Sequence, residues 1–220
     1  MRADATDVAL QHPGAIAVVD LNGDVTASFG DQRKNIKMDE RLRVDATLTS
    51  GRRSTAKLAL SNGAIVELGS ESEIEFEEFG QATYSGNAKF TEMKEEPSIS
   101  RTRLRLARGD VIVDVKPLKI SRGSSFTFSL VAGTLRISEG SFRAMVRMSD
   151  LGIGVCTLEL QSGKAEFEVA GGKFEPLPPG RKLGFAIEVD KATGDVKIGE
   201  MPKASDANSA APAKVHVGKD

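Results

Sequence analysis

The chain has 220 residues, with 30 Lys and Arg side chains against 31 Asp and Glu. This length allows one substantial domain with a well-buried core, or two small ones. Because the charges nearly cancel, the net charge gives no reason to expect binding to DNA, RNA or an acidic membrane. Cys156 is the only cysteine, which excludes an intrachain disulfide and a cysteine-based metal site. The sequence contains no run of about 18 apolar residues, so no membrane-spanning helix is predicted.

The N-terminal lead, 1–14, precedes the first alternating segment. Its sequence, "MRADATDVALQHPGA" with the next residue included, lacks the apolar stretch of a secretory signal peptide. Two locations stay open on this basis: the cytosol, or an extracytoplasmic compartment reached after processing. We expect the folded domain to cover 15–200.

Side chains alternate between apolar and polar along most of the chain, as in β-strands. In "QSGKAEFEV", for example, Ala165, Phe167 and Val169 share one face and the charged residues between them share the other. Glycine-containing turn signals, among them Asn22-Gly23, Arg108-Gly109 and Ser162-Gly163, separate these segments. The predicted strands are 15–21, 24–29, 44–49, 54–60, 64–68, 73–79, 101–106, 110–116, 125–130, 134–138, 141–148, 153–160, 164–169, 172–176, 181–189 and 195–199.

Many short strands at close spacing are typical of all-β folds. The unit Gly-x-apolar-x-apolar also recurs along the chain, which favours stacking of each strand on its neighbours. We therefore predict a twisted, irregular β-solenoid or β-roll. The alternative is a two-sheet β-sandwich.

The stretch "DLNGDVTASFGD" has some features of a calcium loop. Asp20, Asn22, Asp24 and Asp31 fall at ligand positions of such a loop, but Val25 stands where the loop requires glycine and no helices flank it. The asparagine–glycine pair is instead a strong signal for a two-residue hairpin turn. Calcium binding is kept as a minor alternative, and no other metal or cofactor is predicted.

The inventory of catalytic residues is thin. His12 and His216 both lie outside the predicted strands, which argues against a histidine-dependent triad or metal site. No nucleophile elbow, P-loop or dinucleotide fingerprint is present. Cys156 lies in an apolar strand and is expected to be a buried thiol. We predict that the protein is not an enzyme.

Charged residues cluster on two predicted strands. In "ESEIEFEEF" the glutamates alternate with Ile74 and Phe76, and four arginines alternate with apolar residues between 101 and 108. Solvated strand faces account for both patterns. The alternatives are an acidic face that matches a basic partner and a site for a polyanion.

Two segments break the alternation. Residues 80–98 form a polar insertion that holds the only tyrosine, and such insertions are often functional or mobile. Tyr84, Phe90 and Met93 are its predicted partner-binding residues. Residues 201–220 are rich in Ala, Ser and Pro, which predicts a flexible tail, with docking of Val215 and Val217 as an added strand as the alternative.

The order of several phrases resembles the FecR domain, the extracytoplasmic module of FecR-like regulators. The resemblance covers about 15–190. At two places the family's residues differ, since Leu130-Val131 stands for Thr-Pro and Gly140-Ser141 for Gly-Thr. The phrases are "AVVDLNGDVTAS", "LTSGRRSTAKLALSNGAIVELGSESEIEF", "RTRLRLARGDVIVDV", "FTFSLVAGTLRISEGSFRAMV" and "LELQSGKAEFEVAGGKFEPLPPGRKL".

The resemblance implies an all-β, non-enzymatic domain that works in the periplasm or at the cell surface through contact with other proteins. It implies a stand-alone member, without the family's sigma-regulating segment and membrane helix. We predict binding or scaffolding through strand edges, the insertion and the tail. The alternative is self-assembly into a surface layer, sheath or filament. A third hypothesis is calcium- or glycan-dependent binding.

Overall fold

The computed structural model describes residues 12–85, 89–190 and 193–201. Within these ranges the fold is all-β, as predicted, and the helical content is two short 3-10 turns, Phe90–Glu92 and Ile120–Arg122. The strands are β1 (His12–Pro13), β2 (Ile16–Asn22), β3 (Val25–Phe29), β4 (Gln32–Asn35), β5 (Arg41–Leu42), β6 (Thr47–Ser50), β7 (Thr55–Leu60), β8 (Ile65–Leu68), β9 (Glu73–Gln81), β10 (Ser100–Val115), β11 (Ser125–Leu130), β12 (Gly133–Met148), β13 (Ile153–Val169), β14 (Glu175–Leu177), β15 (Lys182–Val189) and β16 (Val196–Glu200).

Three of the strands are much longer than predicted. β10, β12 and β13 each join two of the predicted strands, so Gly109 and Gly163 lie inside strands and not in the turns that we expected there. All sixteen strands belong to one hydrogen-bonded sheet. The prediction of an all-β, irregular arrangement of many strands is therefore confirmed, and the described strands form one sheet and not the two separate sheets of the alternative.

Strand β12 folds back on itself. Leu135 pairs with Phe128 of β11, and Phe142 follows seven residues later along β12. A straight strand would place Phe142 about 23 Å further on. The rings of Phe128 and Phe142 nevertheless meet edge to face, with centroids 4.9 Å apart. The sheet is therefore bent into two layers whose apolar faces pack together.

Strand β13 bends in the same way. Phe185 of β15 pairs with Cys156, which is eleven residues from Phe167 along β13. That separation would be about 36 Å in a straight strand. The two phenylalanine ring centroids are 5.8 Å apart, so this second aromatic pair also joins the layers. Both pairs belong to a single hydrophobic core cluster.

The layers follow from the strand pairings. The long strands contribute one half to each layer, which makes the layers continuous. In order across the sheet, the first layer is β5, β2, β7, β8, β10 from Gly109, β12 from Gly140, β13 up to Gly163, β15 and β16. The second layer is β4, β3, β6, β9 and the remaining halves of β10, β12 and β13, with β11 between β10 and β12 and with β14 at the edge. The short strand β1 pairs with the end of β9.

The alternation of buried residues changes phase at each bend. In β10, Leu104 and Leu106 are buried before the bend and Val111 and Val113 after it, an odd number of residues apart. Without such a shift, one half of a two-residue pattern would face solvent. Each bend has a glycine in the left-handed region of φ, which other residues rarely adopt. These glycines are Gly109 (φ 96°), Gly140 (φ 115°) and Gly163 (φ 96°).

The predicted hairpin at Asn22-Gly23 is wrong. β2 and β3 do not pair with each other: β2 pairs with β5 and β7, and β3 pairs with β4 and β6. The chain instead turns a corner from the first layer to the second, and the N–H of Asp24 donates to the Ser54 hydroxyl at 2.9 Å. A hairpin does form at Gly63, between β7 and β8.

Candidate functional site: an open apolar groove

A groove of about 880 Å³ crosses the second layer where its strands begin to bend. Its volume lies in the range of ligand-binding clefts. Most of its surface is apolar. It is lined by Ile120, Ser124, Ser125, Phe126, Thr127, Arg136, Ile137, Ser138, Gly163, Lys164, Ala165, Glu166, Pro176, Leu177, Pro178, Pro179 and Arg181.

The groove opens where β11 and β12 diverge. These strands pair only from Thr127 and Arg136 to the hairpin turn, because β12 starts to bend beyond Ile137. Phe126 and Ile137, on either side of the divergence, are almost completely buried and line the groove. The bend that builds the two-layered core therefore also leaves an opening in the second layer.

A proline-rich segment forms one wall. β14 pairs with β13, with Leu177 opposite Ala165, and Pro178 and Pro179 follow it. The next residue, Gly180, donates its N–H to the carbonyl of Leu160 at 2.6 Å. Prolines have a fixed φ and no N–H group. This wall is therefore stiff and offers few hydrogen-bond donors.

The opposite wall is the loop that carries Ile120, whose side chain is 49% exposed. Both ends of this loop are held by the carboxylate of Glu96. The backbone N–H of Lys119 donates to one oxygen of Glu96 at 2.8 Å, and the Ser124 hydroxyl donates to the same oxygen at 2.7 Å. The insertion that contains Glu96 thus supports the groove without lining it.

Glu96 is completely buried and its carboxylate is fully hydrogen-bonded. The Ser100 hydroxyl donates to its second oxygen at 2.5 Å and accepts a hydrogen bond from the Asn62 side-chain amide at 3.1 Å. The same amide donates to Thr102, also at 3.1 Å. Buried carboxylates are rare unless they are paired or fully hydrogen-bonded. No sequence pattern indicated this role, because glutamate also fits a solvated insertion.

Two arginines stand at the groove without a carboxylate partner among the described residues. The guanidinium of Arg136 lies over the ring of Phe174, 3.6 Å from its centroid, and Arg181 follows the proline wall. Lys164 differs, because its ammonium is 2.7 Å from the carboxylate of Glu139, whose hydrogen bond raises the pKa of Lys164. The unpaired positive charge of the groove therefore comes from the two arginines.

The predicted partner-binding residues do not line the groove. Met93 is only 8% exposed and packs against the backbone at Gly63. The Tyr84 hydroxyl donates to the carbonyl of Ser61 at 3.4 Å, and burial raises the pKa of this tyrosine. Phe90 is partly buried in a 3-10 turn. Met93 is thus buried, whereas Tyr84 and Phe90 are partly buried. The role of the three residues in partner binding stays a prediction.

The structure does not bring the four calcium-loop residues together. Asp24 precedes β3 and Asp31 follows it, so the five-residue strand separates them by about 17 Å. The Asp20 carboxylate accepts a hydrogen bond from the neighbouring N–H of Leu21. Asn22 ends β2 and is exposed. In the described ranges, no group of three or more His, Cys, Asp or Glu side chains is placed to hold a metal ion.

The acidic run and the arginine row neutralise each other. They lie on adjacent strands, β9 and β10, where Arg103 approaches Glu77 at 3.2 Å and Arg108 approaches Glu73 at 3.1 Å. Arg105 also donates from Nε to Glu75 at 3.0 Å. Exposed pairs of this kind each contribute about 0–1 kcal/mol. This surface therefore has ion-paired charges, and the groove lies elsewhere.

Cys156 is buried, as the sequence predicted, and this leads to a reactivity prediction. Burial raises the pKa of its thiol to about 11, against a small opposing effect of a hydrogen bond from the backbone of Ala132. Because the thiolate is the reactive form, we expect negligible labelling by iodoacetamide in the folded protein at mildly alkaline pH. Labelling should become rapid in guanidinium chloride. Mass spectrometry measures the extent of labelling over time. Rapid labelling of the folded protein would contradict the burial of this thiol.

Two solved structures are similar to this chain. Both are crystal structures of a proposed anti-sigma factor from Parabacteroides distasonis ATCC 8503, at 2.50 and 1.65 Å resolution. Each matches 70% of this chain and 59% of its own length, with 13% sequence identity and TM-scores of 0.44 and 0.43. This chain therefore spans less than two thirds of those chains. No protein-family profile and no curated protein matches it. The FecR resemblance stays a prediction.

Sequence reasoning missed the groove, although one signal pointed to it. The phrase "EPLPPGR" combines three prolines, a glycine and an arginine, which is typical of a stiff surface segment. Nothing comparable marks Ile120 or Arg136.

Within the part of the chain described above, no helix is long and apolar enough to cross a bilayer.

Proposed function

We propose that this chain is a non-enzymatic protein-binding module of the FecR type that works outside the cytoplasm. The groove is the observation that carries the proposal. It is large, open and mostly apolar. Its walls are held by hydrogen bonds that the Glu96 carboxylate accepts and by one that the Gly180 N–H donates. Exposed apolar surfaces of this kind mark interaction sites on soluble domains. The order of the FecR-like phrases supports an extracytoplasmic location.

Site-specific photo-crosslinking in the producing organism tests this proposal. A photoreactive amino acid replaces Ile120 in the groove or, as a matched control, Ile153, which is 60% exposed on β13. We expect one discrete crosslinked protein, identified by mass spectrometry, from position 120 and none from position 153. The same partner at both positions, or none at position 120, would count against a protein-binding groove.

Self-assembly is the second candidate, and one observation favours it. Among the residues that the structure describes, β16 pairs only with β15, and Val196 and Met201 are each nearly half exposed at this edge of the first layer. An open strand edge can accept a strand from a second copy. Light scattering after size-exclusion chromatography over a range of protein concentrations separates the two functions. A binding module should stay monomeric, whereas an assembling protein should grow with concentration.

A further inference from the structure

We infer that the groove takes an extended protein segment whose apolar side chains are flanked by carboxylates. This inference rests on the proposed function and specifies the chemistry of the partner. It depends on three features of the groove: its apolar lining, its two arginines without carboxylate partners, and its extent across several strands.

The charges favour an acidic occupant. Arg136, Lys164 and Arg181 line the groove against a single carboxylate, that of Glu166. Lys164 is already paired with Glu139. Glu166 pairs with Arg136 in the register of β12 and β13. The Arg136 guanidinium nevertheless stacks on the Phe174 ring and forms no ion pair with Glu166. The arginine donors therefore stay available, and their planar groups suit carboxylates.

The positions of the two arginines favour a peptide over a small amphiphile. Arg136 belongs to the second layer, whereas the carbonyl of Arg181 accepts a hydrogen bond from Leu160 in the first layer. The arginines therefore stand on opposite sides of the bend in β13. A fatty acid carries a single carboxylate to share between these two positions. An acidic segment has several and can pair with both.

The length of the groove agrees with an extended chain. Its lining comes from four strands that lie side by side, β11, β12, β13 and β14. Three spacings between neighbouring strands amount to about 14 Å, which four or five extended residues would span. A segment of this length would place alternate side chains on the apolar lining and the others towards the rim.

Three probes test the inference by fluorescence anisotropy and competition. The first is the fluorescein-labelled peptide GELDFEVEG, the second is the same peptide with lysine at every acidic position, and the third is unlabelled decanoate. We expect the acidic peptide to bind about tenfold more tightly than the basic one, since two exposed ion pairs together contribute roughly 1–2 kcal/mol. Its binding should weaken between about 0.15 M and about 1 M NaCl.

Two double variants locate the binding site. Arg136→Gln with Arg181→Gln should weaken binding of the acidic peptide about tenfold. Arg52→Gln with Arg147→Gln removes two exposed arginines outside the groove and should leave binding unchanged. Circular dichroism and thermal midpoints establish that both variants are folded.

Several outcomes would overturn the inference: no binding of the acidic peptide, equal binding of both peptides, equal effects of the two double variants, or complete displacement by decanoate. The last result would identify a site for a small amphiphile. The crosslinking experiment separates this failure from that of the proposed function. A partner captured at position 120 without a preference for acidic peptides would preserve protein binding and refute only the acidic chemistry.

Discussion

Replacing Gly163 with alanine is expected to destabilise the protein by about 3 kcal/mol or more, which chemical denaturation would measure. Gly163 has φ 96° and lies opposite Gly140, which has φ 115°. A Cβ atom at Gly163 would come 1.9 Å from the carbonyl oxygen of Glu139. The new methyl group would therefore force β12 and β13 apart at the bend that joins the layers.

Gly123→Ala is the matched control. Gly123 has a nearly identical φ of 99°, but no atom lies within 4 Å of the position of its missing Cβ. Only the conformational cost applies there, about 1–2 kcal/mol. Equal destabilisation by the two substitutions would mean that the close approach of β12 and β13 is not important for stability.

Glu96→Ala is expected to destabilise the protein by about 3–5 kcal/mol, because it leaves buried donors without an acceptor. The hydroxyls of Ser100 and Ser124 and the N–H of Lys119 would all lose their hydrogen bonds. Thermal and denaturant unfolding measure this effect. Glu95→Ala is the control, since Glu95 is exposed and its loss should change stability by less than about 0.5 kcal/mol.

Glu96→Gln adds a readout for the groove. The amide keeps the shape of the carboxylate but replaces one acceptor oxygen with a donor, so the wall loop should loosen while the fold is retained. Hydrogen–deuterium exchange should accelerate in the segment from Lys119 to Ser124, and it should stay unchanged in β15 and β16. Uniform acceleration, or none in the wall loop, would contradict the role of Glu96 in holding this wall.

The sequence predicted the class of fold because two-residue alternation is a local property. Val111 and Val113 face the core in the structure, and so does Phe167, as the alternation required. It did not predict that a glycine such as Gly109 would bend one strand and not end it. The difference depends on Ser72, just before β9, which occupies the space that a side chain at this glycine would need. Only tertiary structure contains that information.

The candidate site was beyond sequence reasoning for a similar reason. Its residues come from several separate segments between Ile120 and Arg181, and the opening exists because β12 leaves β11 after Arg136. The contribution of the insertion was anticipated in part. We expected Tyr84, Phe90 and Met93 to bind a partner, whereas the structure shows Glu96 as the residue that connects the insertion to the groove.

The most direct test of the groove as a docking surface is an NMR titration of the isotope-labelled protein with the acidic peptide. We expect the largest amide shift changes at the lining residues of β11, at the bends of β12 and β13, and at the proline wall up to Arg181. The β16 edge and the corner at Asn22-Gly23 should stay unchanged. Shifts concentrated at β16, or scattered over the surface without a cluster in the groove, would contradict the assignment.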